Sequence, residues 1–141
     1  MATFNKFNQF VEYLAEKVCN LETDTLKVAL TNTAPVATNT VFANITEISA
    51  GNGYSAGGTQ ATLGSSGQTS GTYKLVLNDV TFTAAGGSIG PFRYVVLYDD
   101  TPTSPADPLI GWYDYAANLT VTSGNSFLVD FDGSNGVLTI A

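Results

Sequence analysis

The sequence contains no histidine and a single cysteine, Cys19. Without histidine, a nucleophilic serine has no imidazole to remove its proton, and zinc would have to be held by carboxylates alone, which is uncommon. One cysteine permits neither an intrachain disulfide bond nor a cysteine-based zinc site. These absences exclude the usual serine-hydrolase triad and the usual zinc centres.

Positive charge is also scarce, because five Lys and Arg residues face twelve Asp and Glu residues, for a net charge of −7. The basic residues form no run, so the chain has no cluster that could displace counterions from nucleic acid or bind an anionic membrane surface. No apolar stretch approaches the roughly 18 residues of a membrane-spanning helix. The first ten residues, "MATFNKFNQF", contain no apolar signal-peptide region. We therefore expect no nucleic-acid partner, no membrane partner and no cofactor.

Apolar and small polar residues make up the rest of the chain. Hydrophobic residues account for 44% and charged residues for only 12%, about half of the usual share of roughly 25%. Thr, Ser, Asn and Gly supply the remaining polarity, and this mixture favours strands and turns over helices. The length of 141 residues fits one domain, residues 1–141.

One amphipathic helix is predicted at the N-terminus, over residues 4–21, which makes residues 1–22 a helical segment ahead of a β body at 23–141. Apolar residues recur here at intervals of three and four, which places them on one face of a helix. They are Phe4, Phe7, Val11, Leu14, Val18 and Leu21. Two interpretations stay open: the helix packs on the protein's own sheet, or it docks on a partner subunit.

The β body contains seven to nine short strands with no helices between them, a pattern that disfavours a parallel α/β sheet. Predicted strands cover residues 24–31, 59–64, 72–77, 79–84, 92–99, 109–115, 125–131 and 136–141, with 92–99 at the centre because it is apolar on both faces. Loops are predicted at 32–40, 64–71 and 101–108, a short strand or helical turn at 41–48, and a hairpin connection at 132–135. The predicted fold is mainly β: an antiparallel sandwich or barrel, for which a jelly roll is one topology, with one N-terminal amphipathic helix.

Residues 51–58, "GNGYSAGG", contain the Gly-x-Ser-x-Gly spacing of a hydrolase nucleophile elbow around Ser55. The chain has no histidine base and no Ser-x-x-Lys pattern, and residues 59–64 do not resemble the helix that follows an elbow. A phosphate-binding loop would need Gly-Lys-Ser/Thr at the start of a helix, which is also missing. We therefore predict a turn rather than a catalytic or phosphate-binding loop.

In this turn the glycines are expected to adopt positive φ at little cost. They are Gly51, Gly53, Gly57 and Gly58. Tyr54 is expected to fix the bend by packing its ring while its hydroxyl stays in solvent.

Two groups of carboxylates resemble parts of known binding or catalytic sites. Asp130, Asp132 and Asn135 resemble part of a calcium loop, but a third ligand and a distal glutamate are missing, so a hairpin turn is the favoured interpretation. The Asp99–Asp100 pair could act with Asp114 as acid and base of a glycosidase. Nothing in the sequence places these carboxylates together.

Aromatic residues on two predicted strands could form a sugar-binding platform or pack within the sheet, and packing is favoured. They are Trp112, Tyr113 and Tyr115 on one strand and Tyr94 and Tyr98 on another. A carbohydrate-binding module for host attachment therefore stays open as an alternative function.

The order and spacing of five segments extend over most of the chain. These segments are "DTLKVALTNTAP" (24–35), "GNGYSAGG" (51–58), "FRYVVLYDDT" (92–101), "PLIGWYDY" (108–115) and "FLVDFDGSNGVLTI" (127–140). As an ordered set they resemble a family of small structural virion proteins of tailed bacteriophages.

The resemblance implies a non-enzymatic head decoration (cement) or minor capsid protein, and it supplies no catalytic residue. Such a protein is made in the cytoplasm of the bacterial host, is located on the capsid exterior, binds the major capsid protein and forms a homo-oligomer, a trimer or dimer. The predicted contact residues are Phe4, Phe7, Val11, Pro35, Pro102 and Pro105. A tail or baseplate component with the same fold is the alternative within the same class.

Overall fold

The computed structural model describes residues 2–141, which form strands, one α-helix and one 3-10 helix. The strands are β1 (Thr3–Lys6), β2 (Leu26–Thr31), β3 (Thr59–Gln60), β4 (Leu63–Thr69), β5 (Thr72–Leu77), β6 (Val80–Thr83), β7 (Ile89–Asp99), β8 (Leu109–Val121), β9 (Ser126–Val129) and β10 (Leu138–Ile140). The α-helix, α1, spans Phe10–Ala15. The 3-10 helix spans Phe42–Asn44 and matches the helical-turn alternative for residues 41–48.

Three antiparallel sheets build the molecule. A five-stranded sheet has the order β1-β8-β7-β2-β3, a three-stranded sheet has the order β10-β5-β4, and β6 pairs with β9. The predicted fold class, mainly β with antiparallel, sandwich-like sheets and one helix, is therefore confirmed, and the helix is short. Strand β7 lies in the middle of the five-stranded sheet, as predicted for residues 92–99.

The five-stranded sheet is covered on both faces, which explains the absence of polar alternation in β7. One face packs Val28, Leu30 and Val95 into the main core, with apolar residues of β5 and β6 opposite them. On the other face Ala29 and Val96 belong to a second buried cluster, beneath side chains from the 3-10 helix region. Side chains that point in both directions are buried, so β7 is apolar at successive positions, whereas β2 keeps Lys27 and Thr31 on the same side as the buried Ala29.

The predicted helix over residues 4–21 is wrong in extent. Residues 3–6 form β1, which pairs with β8 from Thr3 opposite Asp114 to Lys6 opposite Gly111, and α1 covers only Phe10–Ala15. Phe4 packs against the main core and Phe7 belongs to the second cluster, so the two lie on opposite sides of the sheet. An interval of three residues puts side chains on opposite faces of a strand, whereas it puts them on one face of a helix. Met1 lies outside the described residues.

The predicted hairpin between the last two strands is also wrong. Strand β9 pairs with β6, whereas β10 pairs with β5 in a different sheet, so residues 130–137 cross between sheets. The turn itself exists, because Asp132 accepts hydrogen bonds from the backbone N–H groups of Ser134 (2.9 Å) and Asn135 (2.7 Å). The Asp-Gly-Ser-Asn signal therefore identified a turn but not the partners of the strands beside it.

The predicted loop at 64–71 and strand at 59–64 need correction as well. Residues 63–69 form β4, which pairs with β5 through a tight turn at Ser70 and Gly71. Both turn residues have positive φ (50° and 84°), as in the type I′ turns that connect two-residue hairpins. The polar, glycine-containing composition of β4 suits an exposed edge strand. It lacks the apolar alternation from which a strand is predicted, so the sequence indicated a loop.

Candidate functional site

The segment 51–58 begins with a tight hairpin turn. Gly51 and Tyr54 exchange two backbone hydrogen bonds of 2.8 and 3.0 Å, and the residues between them, Asn52 and Gly53, have φ of 57° and 101°. Two consecutive positive φ values define a type I′ turn, for which Asn-Gly is the favoured pair.

All four glycines named from the sequence have positive φ, and two of them also sit against backbone. Their φ values are 130° at Gly51, 101° at Gly53, 86° at Gly57 and 78° at Gly58. A Cβ atom added at Gly53 would overlap the carbonyl oxygen of Thr83, and one added at Gly58 would overlap that of Val28. The segment therefore needs glycine both for backbone conformation and for close approach.

Tyr54 and Glu47 hold this segment against the sheet. The Tyr54 hydroxyl donates to Glu47 Oε1 at 2.6 Å and accepts the backbone N–H of Leu30 at 3.0 Å. The same Glu47 oxygen accepts the N–H of Gly57 at 2.7 Å, and the carbonyl of Gly57 accepts the Tyr98 hydroxyl at 2.6 Å. Tyr54 is 3% exposed, so the expectation of a solvated hydroxyl is wrong. Burial, followed by the hydrogen bond to Glu47, raises the pKa of Tyr54.

This arrangement does not provide hydrolase or phosphate-loop chemistry. The amide of Gly57, which a phosphate cradle would direct at its anion, instead donates to the carboxylate of Glu47. A second anion there would be repelled by that carboxylate. The Ser55 side chain is exposed, and its carbonyl closes the turn by accepting the N–H of Gly58 at 2.9 Å. The segment is a structural turn.

In the glycosidase hypothesis, Asp114 lies far from the Asp99–Asp100 pair. Asp114 forms a bidentate ion pair with Arg93, at 2.7 and 3.0 Å, and this hydrogen bonding holds the pKa of Asp114 below its usual range. Asp114 pairs with Tyr94 across the sheet, five positions along β7 from Asp99, which corresponds to roughly 17 Å. Asp100 forms an ion pair with Lys27 at 2.9 Å. The structure therefore does not assemble an acid–base pair from these residues.

Asp99 is a fully buried carboxyl at the end of β7. Its Oδ1 accepts the N–H of Thr101 at 3.1 Å, whereas Oδ2 has no hydrogen-bond partner. Burial, together with the neighbouring carboxyl of Asp24, raises the pKa of Asp99 to about 7. The buried thiol of Cys19 also adjoins Asp99, and burial raises the pKa of Cys19 as well. Cys19 and Asp99 are thus two neighbouring buried titratable groups at the end of β7.

The aromatic residues pack internally rather than forming a shared exposed platform. Trp112 lies 4.6 Å from Phe7 between ring centroids, and Tyr115 lies 5.2 Å from Phe127. Tyr113 contacts the main core from the opposite face of β8. The alternation along β8 thus sends Trp112 into one cluster and the two tyrosines into the other.

The six predicted contact residues differ in how much surface they offer. Phe7 and Pro35 are buried, so they present no surface to a partner, and their assignment as contacts is wrong. Pro102 and Pro105 are half-buried in the loop at 101–108. Phe4 and Val11 line a common groove.

This groove, of about 490 Å³, lies between β1, α1 and β10, and we call it the β1–β10 groove. Its lining includes Phe4 and Lys6 of β1, Val11 and Leu14 of α1, and Leu138 and Ile140 of β10. Val11 is 52% exposed and Ile140 is 44% exposed. Apolar side chains clustered at the surface and rimmed by polar groups mark interaction sites.

Two free strand edges and a lack of carboxylates characterise the groove. Strands β1 and β10 each end a sheet, so each has a neighbouring strand on one side only. Among the described residues that line the groove there is one lysine, Lys6, and no carboxylate, although the chain has more than twice as many acidic as basic residues. The contribution of β10 was missed because the sequence pattern placed that strand in a hairpin with β9.

Comparisons with known proteins add no assignment, because no family model, no curated protein and no solved structure matches the chain. No helix within residues 2–141 is long and apolar enough to cross a membrane. Over the same residues, no three or more Cys, Asp and Glu side chains are grouped so as to hold a metal ion.

Proposed function

We propose that the protein is a structural subunit of a bacteriophage particle that binds the outside of the capsid and stabilises contacts between major capsid subunits. The observation that carries the proposal is the β1–β10 groove, where exposed Val11 and Ile140 lie beside two unpaired strand edges. The ordered sequence resemblance supplies the class of particle.

The proposed mechanism is thermodynamic linkage. A protein that binds the assembled lattice but not free capsid subunits stabilises the lattice by mass action. Attachment at a symmetry axis of the lattice would favour a trimer or dimer of the chain. This role uses a rigid β body and a docking surface, and it involves no chemical step.

The groove replaces the N-terminal helix as the proposed anchor. Deletion of residues 1–21 would remove β1 together with the buried Phe7 and Phe10. Such a truncation would test folding rather than attachment, so a point substitution in the groove is needed.

The experiment adds purified variants to particles that lack the chain and measures the bound fraction by sedimentation. Val11→Glu should weaken attachment about tenfold or more, equivalent to roughly 1.4 kcal/mol, because it places a charge in the apolar contact. Val36→Glu is the matched control: Val36 is 54% exposed but does not line the groove. Equal attachment of the two variants would refute the groove as anchor.

Location and copy number test the capsid assignment itself. A reconstruction of the particle should show the chain on the head, in hundreds of copies, whereas a tail or baseplate component would be present in a few copies or tens. Density confined to the tail would refute the capsid role and support the tail alternative.

A further inference from the structure

We propose that the β1–β10 groove binds an extended segment of a partner protein that is apolar and acidic, and that this segment adds a strand to the free edge of β1. The identity of the partner as a capsid protein rests on the proposed function, whereas the binding mode rests on the geometry below.

The register of β1 identifies its free backbone groups. The N–H of Phe7 donates to the carbonyl of Ile110 at 3.2 Å, and the pairing with β8 continues from Lys6 opposite Gly111. Hydrogen-bonded and non-hydrogen-bonded pairs alternate in an antiparallel ladder. Phe4 and Lys6 therefore direct their backbone N–H and C=O groups away from β8, to the outer edge. An extended chain can satisfy these groups by β-augmentation.

The side chains beside that edge suit alternate residues of a guest strand. Phe4 stands on β1 itself, and Val11 and Leu14 approach from α1. Ile140 supplies the opposite wall from β10. Successive side chains of a strand point to opposite sides, so every second guest residue would enter the groove and should be apolar, except the one beside Lys6.

The charge of the groove favours an acidic partner segment. Lys6 is exposed and, within residues 2–141, takes part in no ion pair. No described carboxylate lines the groove to compete for it. A second copy of this chain paired through β1 is a poorer occupant, because its residues 3–6 contain no carboxylate to pair with Lys6. Lys6 lies on the same face of β1 as Phe4, so a guest with Asp or Glu at the groove-facing position beside Lys6 would instead pair with it.

The test uses the whole chain and a synthetic probe, a short acetylated and amidated peptide that alternates threonine and valine and carries glutamate in place of one valine. Titration followed by NMR should show saturable shifts of backbone amides centred on residues 3–6, 10–15 and 138–140. A version with lysine in place of glutamate should bind about tenfold more weakly, and a version N-methylated at alternate residues should not bind.

Variants of the protein make the test specific. Val11→Glu and Lys6→Glu should each weaken peptide binding about tenfold, whereas Val36→Glu should bind like the unmodified chain. Unchanged amide spectra away from the substitution establish that each variant is folded. Absence of saturable binding, or binding that is unaffected by N-methylation, would overturn strand addition. A stable dimer whose interface covers residues 3–6 would overturn the choice of occupant.

The two proposals can fail separately. Peptide binding by a protein that does not attach to the capsid would refute the capsid function and leave strand addition intact. Loss of particle attachment in Val11→Glu without any peptide binding would refute strand addition and leave the docking surface intact.

Discussion

The hydroxyl of Tyr54 lies 2.6 Å from Oε1 of Glu47, in a buried position where it also accepts the N–H of Leu30 from β2. One phenol thereby joins the glycine-rich turn, the segment before it and the five-stranded sheet. The turn that resembles a catalytic motif in sequence is fixed by this contact.

Tyr54→Phe should therefore destabilise the fold by about 1–3 kcal/mol, because it leaves the Leu30 N–H without a buried partner and removes one of the two hydrogen bonds that Glu47 Oε1 accepts. Urea unfolding followed by fluorescence measures the change in the free energy of unfolding. Tyr73→Phe is the control, since the Tyr73 hydroxyl contacts Ser66 at 2.9 Å on a less buried strand. Equal stability of Tyr54→Phe and the unmodified protein would contradict this role.

Gly53→Val should be far more damaging than Ser55→Ala. Valine at position 53 would combine a φ of 101° with overlap of the Thr83 carbonyl oxygen, whereas Ser55 contributes an exposed side chain. We expect a loss above about 3 kcal/mol or no soluble protein for Gly53→Val, and a change within about 0.5 kcal/mol for Ser55→Ala. Thermal unfolding of both variants checks this, and similar melting temperatures would disprove it.

Stability should fall as pH rises from about 4 to 8. The pKa of Asp99 is raised to about 7 in the folded state, compared with roughly 3.9 when unfolded. Between these two pKa values the folded state keeps the proton of Asp99, whereas the unfolded state has released it. The contribution of Asp99 to stability is therefore fully present below the unfolded pKa and is lost as the pH rises through the folded pKa.

Thermal unfolding of Asp99→Asn at several pH values isolates the contribution of Asp99 to the pH dependence of stability. The amide stays neutral, so the melting temperature of the variant should change less between pH 5 and pH 8 than that of the unmodified protein. Asp130→Asn, at an exposed position, is the control for a simple change in net charge. If the two variants gave the same pH dependence, Asp99 would not be the responsible group.

The thiol of Cys19 should be protected from reagents in the folded protein. It is buried, and burial raises its pKa, so both the thiolate fraction and access are reduced. Reaction with an aromatic disulfide reagent at pH 8 should be at least about tenfold slower in buffer than in urea. Comparable rates in the two solvents would show that the thiol is accessible.

The sequence predicted those features that depend on residues close together in the chain. Apolar alternation over residues 24–31 identified β2, the apolar run at 92–99 identified β7, and clustered glycines identified the turn at 51–58. The Asn52-Gly53 pair, a specific type I′ signal, could also have identified that turn as a hairpin of known geometry.

Long-range pairing decided the features that the sequence did not reveal. The apolar spacing from Phe4 to Leu21 fits a helix, but β8 offers residues 3–6 a strand partner, and hydrogen bonding to that partner overrides local periodicity. The β1–β10 groove depends on which sheet β10 joins. No local pattern contains that information.

The two strands that line the groove, β1 and β10, pair with strands that are distant in the sequence. Thr3 pairs with Asp114, and Leu138 pairs with Leu75, so each wall forms only after a long segment has closed. Contacts of such high sequence separation form slowly and carry a loop-closure cost. A growing chain on the ribosome has no complete groove until residue 138 has emerged and joined β5. Chain growth thus delays the completion of the groove, so a chain that still lacks β10 does not present this surface.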